Sequence, residues 1–225
     1  LANEVVGTDN IVYIPHIDES FEDDILRKSD KTPNSNGLKL LDIRAFNDAD
    51  LAGLQSGKFK MIYVLNDDAM RLPGAENYLN NLTTNIQHIQ RKNNYSNEAT
   101  ILFPDSTYAE INGTFINFQN RIQRIRPAVT TLEQERLIGE YSVSRWDKFG
   151  APNDRWTHGK KFNARPAWKV IKNIASVMGT EFNFGDSEEV FIELCSKVQG
   201  MEGYDYEAVG SHGIVVGEKP LVTAE

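Results

Sequence analysis

The sequence predicts an α/β sandwich built on a parallel or mixed sheet, and three observations carry that prediction. Three short β-rich runs, residues 60–65, 85–90 and 99–104, recur with helix or turn signals between some of them. The first run, KMIYVL, is apolar without alternation, the pattern of a strand covered on both faces. Two amphipathic stretches with recognisable starts and stops follow residue 166.

Taken in order, NEVVGTDNIVYI (3–14) reads as a helix end that turns at a glycine into a short strand. Residues 19–37 start as a weak helix and dissolve in the turn cluster KTPNSNG. FNDADLAGLQSGKF (46–59) opens on Asn and Asp, sets Leu51 and Leu54 on one face, and stops at Gly57. The runs 60–65, 85–90 and 99–104 are the strand candidates, the second more alternating than the others, and Pro104 blocks continuation of the third. The Asn112-Gly113-Thr114 triplet reads as a turn, with a positive φ expected at Gly113.

Beyond residue 130 the chain is polar, aromatic and turn-rich, so 131–165 is expected to be a long ordered loop. In PAWKVIKNIASVMG, Pro166 occupies a first turn, Trp168, Ile171, Ala175 and Met178 form one stripe, and Gly179 marks the end. In DSEEVFIELCSKVQG, Asp186 or Ser187 caps a helix whose apolar face holds Val190, Phe191, Leu194, Cys195 and Val198. The expected organisation is thus an α/β domain over 1–130, the loop over 131–165, a helical pair packing on the domain over 166–200, and an extended tail over 201–225.

Composition narrows function. With 225 residues and 40% hydrophobic content the chain can bury a core. A net charge of -8 argues against a nucleic-acid or anionic-membrane surface. No apolar run approaches the ~20 residues of a membrane span, so no direct membrane insertion is expected. The chain opens on Leu1 without a signal-peptide pattern and is expected to be part of something longer. One cysteine excludes an internal disulfide and a Cys-ligated zinc or iron–sulfur cluster within this chain. His16, His88, His158 and His212 have no ligand spacing, so no metal site is expected, and surface or satisfied core roles suit them.

Four constellations remain. Asp67 and Asp68 follow the carboxyl end of the best strand, where open α/β sheets bind ligands, although carboxylates repel a phosphate. Trp146, Phe149 and Trp156 interleave with Arg145, Lys148 and Arg155, suiting either base stacking or an interface anchor. Arg121, Arg124 and Arg126 could clamp a diphosphate or pair with the surplus of Asp and Glu. Paired acids elsewhere suit capping and solvated surface.

The stretch ATILFPDSTYAEINGTFINFQNRIQRIRPAV resembles the molybdopterin oxidoreductase segment that runs A-D-V-V-L-P, E-x-x-G-T-x-x-N, E-G-R-x-Q. ARPAWKVIKNIASVMG resembles that family's R-P-x-W helix, and LANEVVGTDNI its GTNN start. FNDADLAGLQSGKFKMIYVLNDDA is similar to its element in which a strand ends in G-x-N-P. The resemblance implies a Rossmann-like three-layer sandwich. Within the superfamily the chain is most similar to the large iron–sulfur subunits of bacterial NADH–quinone oxidoreductase, respiratory complex I.

That resemblance implies a structural domain without a cofactor and without catalytic residues, part of an NADH:quinone oxidoreductase. Iron–sulfur clusters are expected in a preceding region and other subunits of a respiratory complex as partners. The expected location is cytoplasmic, peripheral to the inner face of the cell membrane. Matched residue by residue, Glu110, Gly113, Thr114, Asn117, Arg121 and Gln123 keep the family motif as a vestigial frame, with Glu110 and Arg121 a buried pair. Gln119-Asn120 replace its Glu-Gly, and Asn66-Asp67-Asp68-Ala69 replace G-x-N-P, so a glycine is lost from each turn. The alternative is a fragment of a molybdopterin-dependent oxidoreductase, such as formate dehydrogenase, that binds a molybdenum cofactor.

Overall fold

The structure is a computed structural model that describes residues 1–92, 99–128 and 164–218. It shows the α/β class predicted from the sequence, with, among the described residues, one parallel and one antiparallel sheet of three strands each and a two-stranded parallel pair. The chain divides into two compact units, one made of Leu1–Leu51, Asn112–Ile125 and Ala175–Glu225, the other of Ala52–Ile111 and Arg126–Ile174. The units interleave segments of the chain, where the sequence suggested consecutive regions.

In the first unit a single helical turn, Ala2–Val6, ends at Gly7 with φ 74 and leads to β1 (Val12–Tyr13). β1 pairs in parallel with β2 (Arg44–Ala45). Between them the expected turn cluster gives way to a helix, α1 (Ser35–Leu40). Asn34 precedes it but does not cap it; its side-chain oxygen accepts from the Ile116 amide at 2.8 Å. α2 (Asp48–Gln55) starts as expected: the Asn47 Oδ1 accepts from the Ala49 and Asp50 amides, satisfying two of the four orphan N–H groups of a helix start.

The antiparallel sheet of this unit joins β6 (Gly113–Ile116), β7 (Arg121–Ile125) and β8 (Ile214–Val215). Its apolar face meets α4 (Ser187–Lys197), where Phe191 and Cys195 sink into the core as the helical stripe predicts. Asp186 caps α4 by accepting from the Glu188 and Glu189 amides. Residues 201–218 are not the extended tail expected from the sequence. Tyr204, Tyr206, Val209 and Ile214 are core residues, with α5 (Tyr206–Val209) among them. Gly213 makes this possible: at φ 74, a Cβ there would collide with the Ile122 carbonyl.

The second unit holds the three strands read from the sequence, β3 (Met61–Leu65), β4 (Thr84–Ile89) and β5 (Ile101–Pro104), parallel in the order β3-β4-β5. Burial runs against the apparent polarity. Met61 and Leu65 of the apolar β3 are 46% and 45% exposed, so that strand is not covered on both faces. The more polar β4 is the central strand, and its Asn85, Gln87 and His88 are buried. A central position leaves no open edge, and the polar side chains find partners, with Gln87 donating to Asn85 at 3.1 Å. α3 (Ala167–Val177) begins after Pro166, as expected, and Ala175 on its stripe is fully buried.

Candidate functional site

The carboxyl ends of β3, β4 and β5 lie side by side because the strands are parallel and in register, Leu65 against His88 and His88 against Phe103. That is the edge where open α/β sheets place ligands. The Asn66 amide N–H continues the ladder to the His88 carbonyl at 3.0 Å, and the Asp105 amide N–H does so to Ile89 at 2.9 Å. At this level the Asn66 side chain donates to Asp105 Oδ2 at 2.6 Å. Asp105 also accepts from the Ser106 amide at 2.7 Å and from the Ala167 amide in the first turn of α3.

His88 sits beneath this carboxylate. Its ring is fully buried, Nε2 lies 2.7 Å from the Tyr63 hydroxyl, and Nδ1 faces Asp105 Oδ2 at 3.8 Å. The Tyr63 and Phe103 rings flank it, with centroids at 5.3 and 4.9 Å. Burial lowers the imidazole to about 4 and raises the Tyr63 phenol to about 12, the Asp105 charge adding to the latter. Burial also raises Asp105, against the pull of the Asn66 and Ser106 hydrogen bonds.

Asp67 and Asp68 occupy the loop that the sequence places after β3. Asp68 caps a short 3-10 turn, Ala69–Arg71, by accepting from the Met70 amide, and Asp67 accepts from the Asp68 amide. Sequence reasoning singles out these two and misses the pairing of His88 with Asp105. The signal that could have found it is positional: Asp105 directly follows the last residue of a strand candidate, as Asn66 does.

The other candidates fall on the β6–β7 hairpin of the first unit. Asn117 builds its turn, with Oδ1 accepting from the Gln119 and Arg121 amides at 2.9 and 3.0 Å. Asn36 reaches across to donate to the Asn117 carbonyl at 3.1 Å and to Asn120 Oδ1 at 2.9 Å. Thr114 and Gln123 are paired strand residues opposite Arg124 and Phe115. Gly113 is the first residue of β6 and is absent from the positive-φ positions, so the turn expected there is a strand.

The three arginines do not all share one face. Arg121 and Arg124 are three apart on a strand and point to opposite faces. Arg121 donates to the Gly213 carbonyl at 3.1 Å. Arg124 donates to Asn112 at 3.2 Å, with its guanidinium 4.1 Å over the Tyr206 ring. Glu110, expected as the buried partner of Arg121, belongs to the second unit, where it accepts from the Thr107 amide at 2.8 Å. Trp146, Phe149 and Trp156 lie outside the described residues.

The two turns that lost glycine are the informative positions. Asn66 and Asn120, which the sequence resemblance sets against Gly, both hold a left-handed backbone, φ 53 and φ 58. Only Asp42 joins them among the described non-glycine residues. Asn is among the few side chains that visit this region readily. The substitutions therefore keep the turn conformation of a glycine at both positions.

Among the described residues no group of three His, Cys, Asp or Glu is placed to hold a metal. Cys195 is 1% exposed and burial raises its thiol to about 12. A cleft of about 440 Å³ lies in the first unit between residues 181–184 and α4, and none of the candidate residues lines it.

Comparison with known proteins places both turns and the strand ends in one matched region. Residues 31–137 match the family described as Molybdopterin oxidoreductase. Among curated proteins the chain is 24% identical over 161 residues to F420-dependent formate dehydrogenase 2 subunit alpha of Methanococcus maripaludis, covering 69% of this chain and 20% of that protein. It is 26% identical over 171 residues to F420-dependent formate dehydrogenase 1 subunit alpha of the same organism, covering 73% of this chain and 21% of that protein. The chain thus spans about one fifth of the length of these relatives. Among the described residues no helix is long and apolar enough to cross a membrane.

Proposed function

We propose that this chain is a segment of a molybdopterin-dependent oxidoreductase of the formate dehydrogenase kind, supplying part of the protein wall around the cofactor. The observation that carries this reading is the retained left-handed backbone at Asn66 and Asn120 in the two turns where the family pattern has glycine. The relatives named above support it over the complex I reading.

The residues present fit one end of the cofactor better than the other. Asp67 and Asp68 are acceptors when ionised and suit the N–H-bearing edge of a pterin or guanine, not a diphosphate. Asn66, Asp67 and Asp68 would hold that edge. When bound, the cofactor's molybdenum supplies the two-electron redox chemistry. The chain's own residues bind and orient it, and their partners in the fold, Asp105 above all, keep the loop after β3 in place.

Metal and pterin analysis of the native protein tests this. Stoichiometric molybdenum or tungsten with an extractable pterin is the expected result. A metal-free protein that co-purifies with respiratory-complex subunits would restore the cofactor-less structural reading.

A further inference from the structure

We propose that Tyr63, His88 and Asp105 form a proton relay through which the buried Asp105 carboxyl exchanges its proton with solvent. Geometry fixes the direction of the line. Asp105 is 4% exposed and is surrounded by N–H donors from the Asn66 side chain and the Ser106 and Ala167 amides. Burial raises the Asp105 carboxyl, and these donors, one of them at the start of a helix, oppose that by favouring the ionised form, which can only accept hydrogen bonds.

A neutral imidazole has one donor and one acceptor nitrogen. Nδ1 faces an acceptor-only carboxylate at 3.8 Å, and the relay assigns it the ring proton. Nε2 is then the acceptor, and the Tyr63 hydroxyl donates to it at 2.7 Å. Tyr63 is half-buried, whereas His88 has no exposed surface, so the relay is assigned its solvent end at Tyr63.

Transfer is balanced along this line. The Tyr63 O–H proton moves to Nε2, the Nδ1 proton moves to Asp105 Oδ2, and the phenolate oxygen takes a proton from water; hydroxide is left in solvent and the ring as its Nε2–H tautomer, and the reverse transfers restore the starting state. The 3.8 Å between Nδ1 and Oδ2 must close by about 1 Å for the second transfer, to reach hydrogen-bond distance. Among the described residues, Tyr63 on β3 and Asp105 after β5 are the titratable groups that face the ring, and Phe103 closes its other side. The inference rests on this unit alone and does not depend on a bound cofactor.

Nitrogen-15 NMR of the histidine-labelled 225-residue chain tests it. At neutral pH His88 is expected as the Nδ1–H tautomer with a protected ring proton. In Tyr63→Phe, which keeps the ring packing, exchange of that proton with solvent is expected to slow. An Nε2–H tautomer in the parent protein would overturn the proposal by reversing the line. Equal exchange in the parent and in Tyr63→Phe would also overturn it, since a purely structural hydrogen bond predicts that result. Should Tyr63→Phe fail to fold, an Nε2–H tautomer in the parent still overturns the proposal.

Discussion

Asn66 and Asp105 meet at 2.6 Å and tie the loop after β3 to the loop after β5, across the end of the central strand. Asn66 holds this contact from a left-handed backbone, so its side chain and its conformation serve the same turn. Asn66→Gly removes a hydrogen bond to a carboxylate, about 1.5–3 kcal/mol, but regains roughly 1 kcal/mol at positive φ. Asn66→Val loses the bond and adds the strain, for about 3–4 kcal/mol. Urea unfolding should rank the parent above the Gly variant and the Gly variant above the Val variant.

The hairpin turn gives a contrasting test. Asn120→Gly keeps φ 58 and should change stability by less than about 1 kcal/mol, since its side-chain bond to Asn36 is exposed. Gly113→Val is also expected to be tolerated, because Gly113 lies in a strand with nothing within 4 Å of the position a Cβ would take. Gly213→Ala should cost about 3 kcal/mol or more, from collision with the Ile122 carbonyl and from its φ of 74. Thermal unfolding of the three variants checks the order.

His88 makes stability depend on pH. Its folded value, about 4, lies below the ordinary 6.5, so the unfolded chain binds the proton more readily. The contribution is complete above 6.5 and is lost as pH falls toward 4, by roughly 2–3 kcal/mol. Asp105 is shifted upward and acts in the opposite sense, contributing at acid pH and losing that contribution as pH rises through its folded value. Denaturation midpoints at about pH 7, 5.5 and 4.5 should fall with acid in the parent and fall less in His88→Gln.

Cys195 should be silent in the folded protein. It is buried on α4 with its thiol raised to about 12, so a thiol reagent at mildly alkaline pH should find no reactive group until denaturant is added. One equivalent should then react.

Much of the fold was legible in the residues. The strands, the caps at Asn47 and Asp186 and the stripe of α4 follow from local pattern, which local physics enforces. What could not be read was order and depth. Alternation marks β4 as half-exposed, yet its place between two parallel neighbours buries it. His88 and Asp105 lie on different segments, and only strand pairing brings them face to face. Gly113 draws attention as a turn glycine, whereas Asn66 and Asn120 hold the positive φ, because the hairpin reverses after β6 and not before it.

The buried polar residues of β4 have a consequence for how the sheet finds its pairing. Side chains alternate between faces, so a slip by one position would carry His88 away from Tyr63 and turn Asn85 and Gln87 toward the wrong side. Each buried group stranded that way costs about 1–3 kcal/mol. An all-aliphatic centre strand would tolerate several alignments with little to separate them. Here the polar side chains act as the teeth of a key, and the parallel sheet assembles by recognition between strands as well as by the exclusion of water.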